Sequence, residues 1–330
     1  MTLFTVENTM EDMRKIPQLQ DIAPYLLYSR DPDTAAFEAM PIAGVKNIGW
    51  SPEGMVKGIN FLIHQFENGA KMYRLYTAEE CKDDPQKEHV NVIRLIPEKV
   101  DTAKPYIVLA AGGGYNAVCS ATEAYPTAVT FVQRGYQVFV LTYRVGEIGI
   151  LPKPLEDLAA ALRFIGCHSK EFSLNPDNYA VGGFSAGGNL ITMWGTENAG
   201  YKAYGLPRPT ALFPVYPVVD IKALEEHEKD REFIKIMLGE DYTQEALEKY
   251  NVAQHIGECY PPCYIVCGKD DTTVPCRNSE ILKERLDALG TAAVLEEGEH
   301  APHGFGDGTG TDVEGWPERA ADFLEKVYSA

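Results

Sequence analysis

From about residue 90 onward, short apolar runs rich in β-branched and aromatic residues alternate with segments of helical period. The runs are almost continuously apolar, which is typical of strands covered on both faces. The alternation predicts βαβ units around a mostly parallel, doubly wound sheet of the α/β class. The predicted strands are 90–96, 106–111, 137–143, 179–184, 211–219, 264–267 and 292–295. The predicted helices are 123–134, 154–167, 186–197, 276–289 and 317–328.

Upstream of this alternating region, the apolar segments 56–66 and 72–76 flank the dipeptide Asn68-Gly69. This dipeptide suits a type I′ turn, the usual connection of a two-residue hairpin. We therefore predict an N-terminal antiparallel hairpin that extends the edge of the sheet.

The whole chain, 1–330, is interpreted as one α/β domain with two additions. Residues 1–55 contain several prolines and only short amphipathic pieces, which indicates an irregular N-terminal arm. Segment 221–256 is rich in Glu and Lys, has helical period and interrupts two predicted strands, so it is a small helical insertion. The insertion either forms a lid over the carboxyl edge of the sheet, where ligands bind in such folds, or extends into solvent.

The charge balance excludes two classes of partner. There are 30 Lys and Arg residues against 48 Asp and Glu, a net charge of −18. Such a charge opposes contacts with nucleic-acid phosphates and with anionic membranes. No apolar stretch has the length of a membrane span, and the first residues show no leader pattern. We expect a small-molecule partner, with neither nucleic acid nor membrane.

The seven cysteines are an odd number in a long chain. This count favours free thiols in a reducing cytoplasm over a disulfide framework. Cys259, Cys263 and Cys267 are spaced by four, unlike the paired spacing of zinc sites. The sequence therefore predicts a cytoplasmic protein with buried structural thiols and no metal.

The segment Gly183-Phe184-Ser185-Ala186-Gly187 lies between a predicted strand and a predicted helix. Glycines on both sides permit a sharp, strained turn that exposes the serine hydroxyl. The helix that follows directs its N-terminal amides toward charge that develops at the serine. This placement favours a nucleophilic serine over a glycine-rich connection with an incidental serine.

Three glycines, Gly112, Gly113 and Gly114, follow the predicted strand 106–111. Backbone N–H groups at glycines can approach a ligand closely, and a pair of such donors stabilises the oxyanion of acyl transfer. A phosphate-binding loop is the alternative, but no GxGxxG or GxxxxGK[ST] pattern is present. The motif therefore favours an oxyanion hole.

A serine hydroxyl becomes nucleophilic when an imidazole accepts its proton and a carboxylate orients that imidazole. His303 lies in a glycine-bearing loop between the last predicted strand and the last predicted helix, and is favoured over His300. Asp271 follows the penultimate predicted strand and is favoured as the acid over Asp270 and Asp220.

The chain order Ser185, Asp271, His303 is the order of nucleophile, acid and base in α/β-hydrolases. Over about residues 90–330 the sequence resembles this superfamily, in particular the esterase and lipase group and its bacterial carbohydrate acetyl esterases. Ala111 stands where the lipase-like signature has a histidine before its glycines. The likeness is therefore to the acetyl-esterase-like subgroup.

The resemblance implies an α/β-hydrolase fold and a serine carboxylesterase that needs neither metal nor organic cofactor. It also implies specific roles: nucleophile Ser185, acid Asp271, base His303, and oxyanion donors at the amides of Gly113, Gly114 and Ala186.

The expected substrates are short-chain acyl esters, acetyl esters above all, on small molecules that include carbohydrates. Three alternatives stay open. They are a peptidase of the prolyl-oligopeptidase type, a catalytically silent hydrolase-fold binding protein, and an enzyme that transfers the acyl group to an acceptor other than water.

Overall fold

The computed structural model of the chain describes residues 3–30, 39–225 and 228–329. These residues form an eight-stranded sheet and a separate two-stranded sheet. The strands are β1 (Tyr28–Ser29), β2 (Lys71–Arg74), β3 (Asn91–Leu95), β4 (Tyr106–Ala110), β5 (Ala117–Val118), β6 (Val138–Thr142), β7 (Tyr179–Phe184), β8 (Ala211–Val215), β9 (Cys263–Gly268) and β10 (Ala293–Gly298).

Helices connect most of these strands. The α-helices are α1 (Met10–Met13), α2 (Pro52–Glu67), α3 (Ala124–Gln133), α4 (Lys153–Cys167), α5 (Ser169–Phe172), α6 (Ala186–Trp194), α7 (Ile221–Leu224), α8 (Glu228–Leu238), α9 (Gln244–Tyr250), α10 (Arg277–Ala288) and α11 (Trp316–Tyr328). Short 3₁₀ helices are Ala23–Tyr25, Ile42–Ile48, Pro85–His89 and Val252–Gln254.

The strand order of the large sheet is β10-β9-β8-β7-β4-β6-β3-β2. Strands from β10 to β6 pair in parallel, whereas β3 and β2 add antiparallel strands at one edge. Every residue of β4, β6, β7, β8 and β9 is buried, as expected where both faces are covered. The carboxyl ends of the parallel strands share one edge, so the loops after β4, β7, β9 and β10 meet there.

The predicted mostly parallel, doubly wound sheet is confirmed. All seven predicted strands and all five predicted helices are present, with ends that differ by at most four residues. The largest difference is at β8, which stops at Val215 because Tyr216 has a φ of +38° and leaves the extended conformation.

The predicted hairpin is wrong, because residues 56–66 lie within the helix α2. The Ser51 side chain caps this helix by accepting the N–H of Gly54 at 3.1 Å. Asn68-Gly69 ends the helix, with Gly69 at a φ of +95°, and does not form a hairpin turn. Strand β2 follows and pairs antiparallel with β3, so an antiparallel edge exists with a different partner.

The N-terminal arm and the helical insertion both pack on the sheet domain. One cluster of buried apolar side chains extends from Phe4 in the arm through Ile234 in α8 to Leu324 in α11. Strand β1 of the arm also pairs with β5, which follows the glycine loop. No helix within residues 3–30, 39–225 and 228–329 has the length and hydropathy needed to cross a bilayer.

Candidate active site

Ser185 lies at the sharp turn between β7 and α6. Its backbone has a φ of +51° and a ψ of −116°, a strained conformation for a residue other than glycine. A Cβ atom on Gly183 would lie 2.3 Å from the carbonyl oxygen of Gly187. A Cβ on Gly187 would lie 2.2 Å from the carbonyl oxygen of Ala110. Gly183 therefore permits close packing of β7 against the first turn of α6, and Gly187 permits close packing of that turn against the end of β4.

The structure brings together the three side chains that the sequence singled out. The Nε2 atom of His303 lies 2.9 Å from the Oγ of Ser185, and its Nδ1 lies 2.7 Å from the Oδ2 of Asp271. The His303 side chain is 20% exposed, whereas that of Asp271 is fully buried. An imidazole with its proton on Nδ1 donates to Asp271 and leaves Nε2 as an acceptor for the Ser185 hydroxyl.

Backbone donors fix the carboxylate of Asp271. Its Oδ1 accepts the N–H groups of Thr273 and Val274, both at 2.8 Å. These two bonds leave Oδ2 directed at the imidazole.

The alternative acids and base have other partners. Asp270 accepts the N–H of Ala301 at 2.8 Å, and Asp220 caps α7. The His300 side chain is 85% exposed and lies 3.9 Å from Asp270.

The glycine loop presents amides near Ser185. Gly113 and Gly114 have φ values of +129° and +62°, and both line the cavity in front of the serine. Within the described part of the chain, the N–H groups of Gly113, Gly114 and Ala186 donate to no protein acceptor. Tyr143 donates its hydroxyl to the carbonyl of Ala111 at 2.6 Å and so fixes the end of β4.

The cavity in front of Ser185 has a volume of about 350 Å³. Its apolar walls come from elements far apart in the chain. Trp50 of the arm borders the cavity beside His303, and Leu224 and Phe233 contribute from the insertion. Leu224 and Phe233 belong to segment 221–256, so of the two positions predicted for this insertion their place agrees with the lid over the carboxyl edge. Neither Trp50 nor Phe233 belongs to a motif that predicts its individual place in the cavity.

The same cavity is also lined by a buried carboxylic acid, Glu123, which the sequence analysis does not predict. Glu123 is only 4% exposed, and burial raises its pKa to about 7. It precedes α3, where an acidic residue is ordinarily interpreted as favourable to a helix N-terminus. No motif in the sequence marks it as part of a site.

The expectation that all cysteines are free thiols is wrong for two of them. Cys267 and Cys276 form a disulfide that closes the loop carrying Asp271. The two positions lie at the end of β9 and just before α10, which the fold brings to a Cα separation of 5.6 Å. A cytoplasmic location stays a prediction, without support from this pair.

The disulfide lies beside the carboxylate of Glu297. Among the described residues, the one group of three potential ligands is Cys267, Cys276 and Glu297. Its two sulfur atoms are joined to each other, so neither is available as a thiolate ligand.

A model of the BD-FAE family matches residues 94–286, more than half of the chain. The chain belongs to the BD-FAE family. This assignment confirms the predicted membership of the α/β-hydrolase superfamily. The part of the chain that matches the BD-FAE model contains the glycine loop, Ser185 and Asp271, whereas His303 follows it.

Curated relatives share the same part of the chain. An endo-1,4-β-xylanase B from Butyrivibrio fibrisolvens is 27% identical over 56% of this chain and 30% of its own length. An acetylxylan esterase from Xylanibacter ruminicola is 27% identical over 62% of this chain and 41% of its own length. The chain thus spans less than half the length of both relatives.

Solved structures share the fold. The acetyl ester-xyloside bifunctional hydrolase from Caldicellulosiruptor lactoaceticus has a TM-score of 0.68 and 24% identity, over 78% of this chain and 96% of that chain. A carbohydrate esterase from gut microbiota has a TM-score of 0.62 and 19% identity, over 73% and 91%.

Proposed function

We propose that this BD-FAE protein is a serine esterase that hydrolyses short-chain acyl esters, acetyl esters of carbohydrates above all. The proposal depends most on one observation, the continuous hydrogen-bonded series from Asp271 through His303 to Ser185, with distances of 2.7 and 2.9 Å. A buried acid, an imidazole and a strained serine in this arrangement are the parts needed for acyl transfer.

In the proposed mechanism, Nε2 of His303 accepts the proton of Ser185 as Oγ attacks the ester carbonyl carbon. The oxyanion accepts hydrogen bonds from the amides of Gly113, Gly114 and Ala186. The imidazolium then donates its proton to the departing alcohol, which leaves an acyl group on Ser185. Water repeats the sequence: His303 accepts its proton, and the acid leaves as Oγ regains a proton.

The size and lining of the cavity support a small acyl group. A volume of about 350 Å³ lies at the lower end of the range of ligand pockets, roughly 300–1,000 Å³. The aromatic ring of Trp50 at the cavity wall suits a sugar ring on the alcohol side. Two names among the similar proteins, acetylxylan esterase and carbohydrate esterase, support an acetylated carbohydrate as substrate. The net charge of −18 favours such a neutral partner over nucleic acid or a membrane.

The direct test compares hydrolysis of nitrophenyl esters of increasing acyl length, and of acetylated xylose oligomers, by wild type and Ser185→Ala. We expect acetate to be hydrolysed fastest and the variant to lose on the order of a thousand-fold or more in kcat. Ser169→Ala, outside the cavity, serves as the matched control. Undiminished hydrolysis by Ser185→Ala contradicts the proposed site, and faster hydrolysis of long chains contradicts the proposed substrate.

Acyl transfer is separated from hydrolysis in the same assay by adding an alcohol or a sugar in excess. The proposed esterase releases mainly the free acid. A dominant transfer product contradicts hydrolysis as the principal reaction while leaving the assignment of Ser185 intact.

A further inference from the structure

Glu123 connects three loops at the carboxyl edge of the sheet. Its Oε2 accepts the N–H of Gly112 at 2.5 Å, directly before the proposed oxyanion donors. Its Oε1 accepts the hydroxyl of Tyr216, which follows β8, at 2.9 Å. The same Tyr216 hydroxyl accepts the N–H of Gly306 at 3.2 Å, in the loop that carries His303. The Glu123 carboxylate is thus linked directly to the loop of the proposed oxyanion donors and, through Tyr216, to the loop that carries His303.

The packing around this connection leaves little freedom. A Cβ on Gly112 would lie 2.8 Å from the Cβ of Ser185 and 3.2 Å from Oε2 of Glu123. A Cβ on Gly306 would lie 2.3 Å from the carbonyl oxygen of Thr122, the residue before Glu123. The backbones of both loops therefore lie against the Glu123 segment.

Tyr216 also packs against the imidazole of His303. Its ring centroid lies 4.8 Å from that of His303, and 4.6 Å from the ring of Phe305. Its φ of +38° is strained for a tyrosine, which is a feature that concentrates at functional sites. Burial raises the pKa of Tyr216 well above its usual value, so its hydroxyl keeps the proton that it donates to Glu123.

Four titratable groups interact with Glu123 in the described part of the chain. His303 lines the same cavity, and the positive charge that it acquires on accepting the serine proton favours the ionised carboxylate of Glu123. The side chains of Cys119, Tyr143 and Tyr216 also interact with Glu123, and burial raises the pKa of each of them. These three groups stay neutral, so the negative charge of Glu123 acts mainly on the imidazolium that forms during catalysis.

We propose that Glu123 is a positioning residue of this esterase, which acts through Gly112 and Tyr216 to hold the oxyanion amides and the His303 imidazole in fixed relation to Ser185. The inference rests on the proposed esterase function. Burying a carboxylate is energetically unfavourable, since its charge must be removed from water, whereas an uncharged residue of the same shape avoids this desolvation. We attribute the presence of this carboxylate to its hydrogen bonds with Gly112 and Tyr216, which link the two loops of the site.

The test uses Glu123→Gln, Tyr216→Phe and the double variant, with Glu284→Gln on the surface as the matched control. Kinetics with nitrophenyl acetate and thermal melting are measured at pH 8. For Glu123→Gln we expect kcat to fall about 10- to 100-fold and KM to change less than about three-fold, with no decrease in Tm. Because both residues act in one connection, the double variant is expected to be no slower than about the slower single variant.

Three outcomes overturn the inference. They are a kcat of Glu123→Gln within about two-fold of wild type, a loss of kcat accompanied by a lower Tm, and strictly additive losses in the double variant. If Glu123 only stabilised the fold, Glu123→Gln would lower kcat and Tm together, which is the second outcome. Failure of the proposed function gives a different result, because wild type itself would then show no hydrolysis that depends on Ser185.

Discussion

The Oγ of Ser185 and the Nε2 of His303 lie 2.9 Å apart although 118 positions separate the two residues in the chain. Ser185 follows β7 and His303 follows β10, which is three strands away in the sheet. The contact exists because parallel strands align their carboxyl ends and because the long loop after β10 returns across that edge.

Asp271→Asn tests the orientation of the base. The amide keeps the shape of the side chain, but its NH₂ group can face Nδ1 of His303 and favour the wrong tautomer. We expect kcat to fall by about 10³- to 10⁴-fold, as in the serine proteases, with little change in Tm. The control is the neighbouring Asp270→Asn, whose carboxylate accepts the Ala301 N–H, and this variant should lose less than about ten-fold. Equal losses in both variants contradict the assignment.

The two proposed oxyanion glycines are expected to respond differently to alanine. A Cβ at Gly113 would lie 2.3 Å from the carbonyl oxygen of Ala117, so Gly113→Ala must displace the loop. A Cβ at Gly114 meets nothing closer than 3.9 Å, so the cost is mainly that of a positive φ, about 1 kcal/mol. We expect kcat to fall at least about 100-fold for Gly113→Ala and less than about ten-fold for Gly114→Ala. The reverse order of the two losses contradicts this account of the loop.

The pKa of Glu123 predicts a pH-dependent stability. Burial raises that pKa from 4.5 to about 7, so between these values the unfolded chain releases a proton that the folded chain keeps. The carboxyl group therefore lowers the free energy of unfolding as pH rises from 4.5 to 7. Glu123→Gln removes this effect, and its stability relative to wild type should improve by about 2–3 kcal/mol between pH 5 and pH 8. Denaturant unfolding at the two pH values measures it, and an unchanged difference contradicts the burial of an ionisable group.

The disulfide predicts a thiol count. In denaturant without reductant, five cysteines should react with a thiol reagent, and all seven should react after reduction. The double variant Cys267→Ser/Cys276→Ser should give five under both conditions. Seven reactive thiols before reduction would contradict the Cys267–Cys276 bond.

The sequence predicted those parts of the molecule that have a local signal. Buried strands appear as continuous apolar runs, and the glycines around Ser185 mark a turn that excludes side chains. Asp271 and His303 are predictable because each lies in a loop after a predicted strand and because the order Ser185, Asp271, His303 is that of α/β-hydrolases. Gly304 and Phe305 after His303 favour it over His300. The prediction of a hairpin is wrong because Asn68-Gly69 is equally suited to end a helix. Whether residues 52–67 form a strand or a helix depends on how they pack against the rest of the domain.

Other features depend on contacts between distant segments. Trp50 borders the cavity because the N-terminal arm packs on the loop after β10, which no periodicity in the arm predicts. Glu123 precedes a helix and resembles an ordinary helix-start acid until its contacts with Gly112 and Tyr216 are seen. The pairing of Cys267 with Cys276 likewise depends on where β9 and α10 meet.

Covalent labelling with a fluorophosphonate tests the central claim most directly, because the reagent reacts with a serine only when a base and an oxyanion hole are assembled around it. Peptide mass spectrometry of the labelled wild-type protein locates the modified residue. The account predicts a single phosphonyl group on Ser185, no label on Ser185→Ala, and greatly slowed labelling of His303→Ala. Absence of label from wild type, or attachment at another residue with Ser185→Ala still reactive, would contradict it.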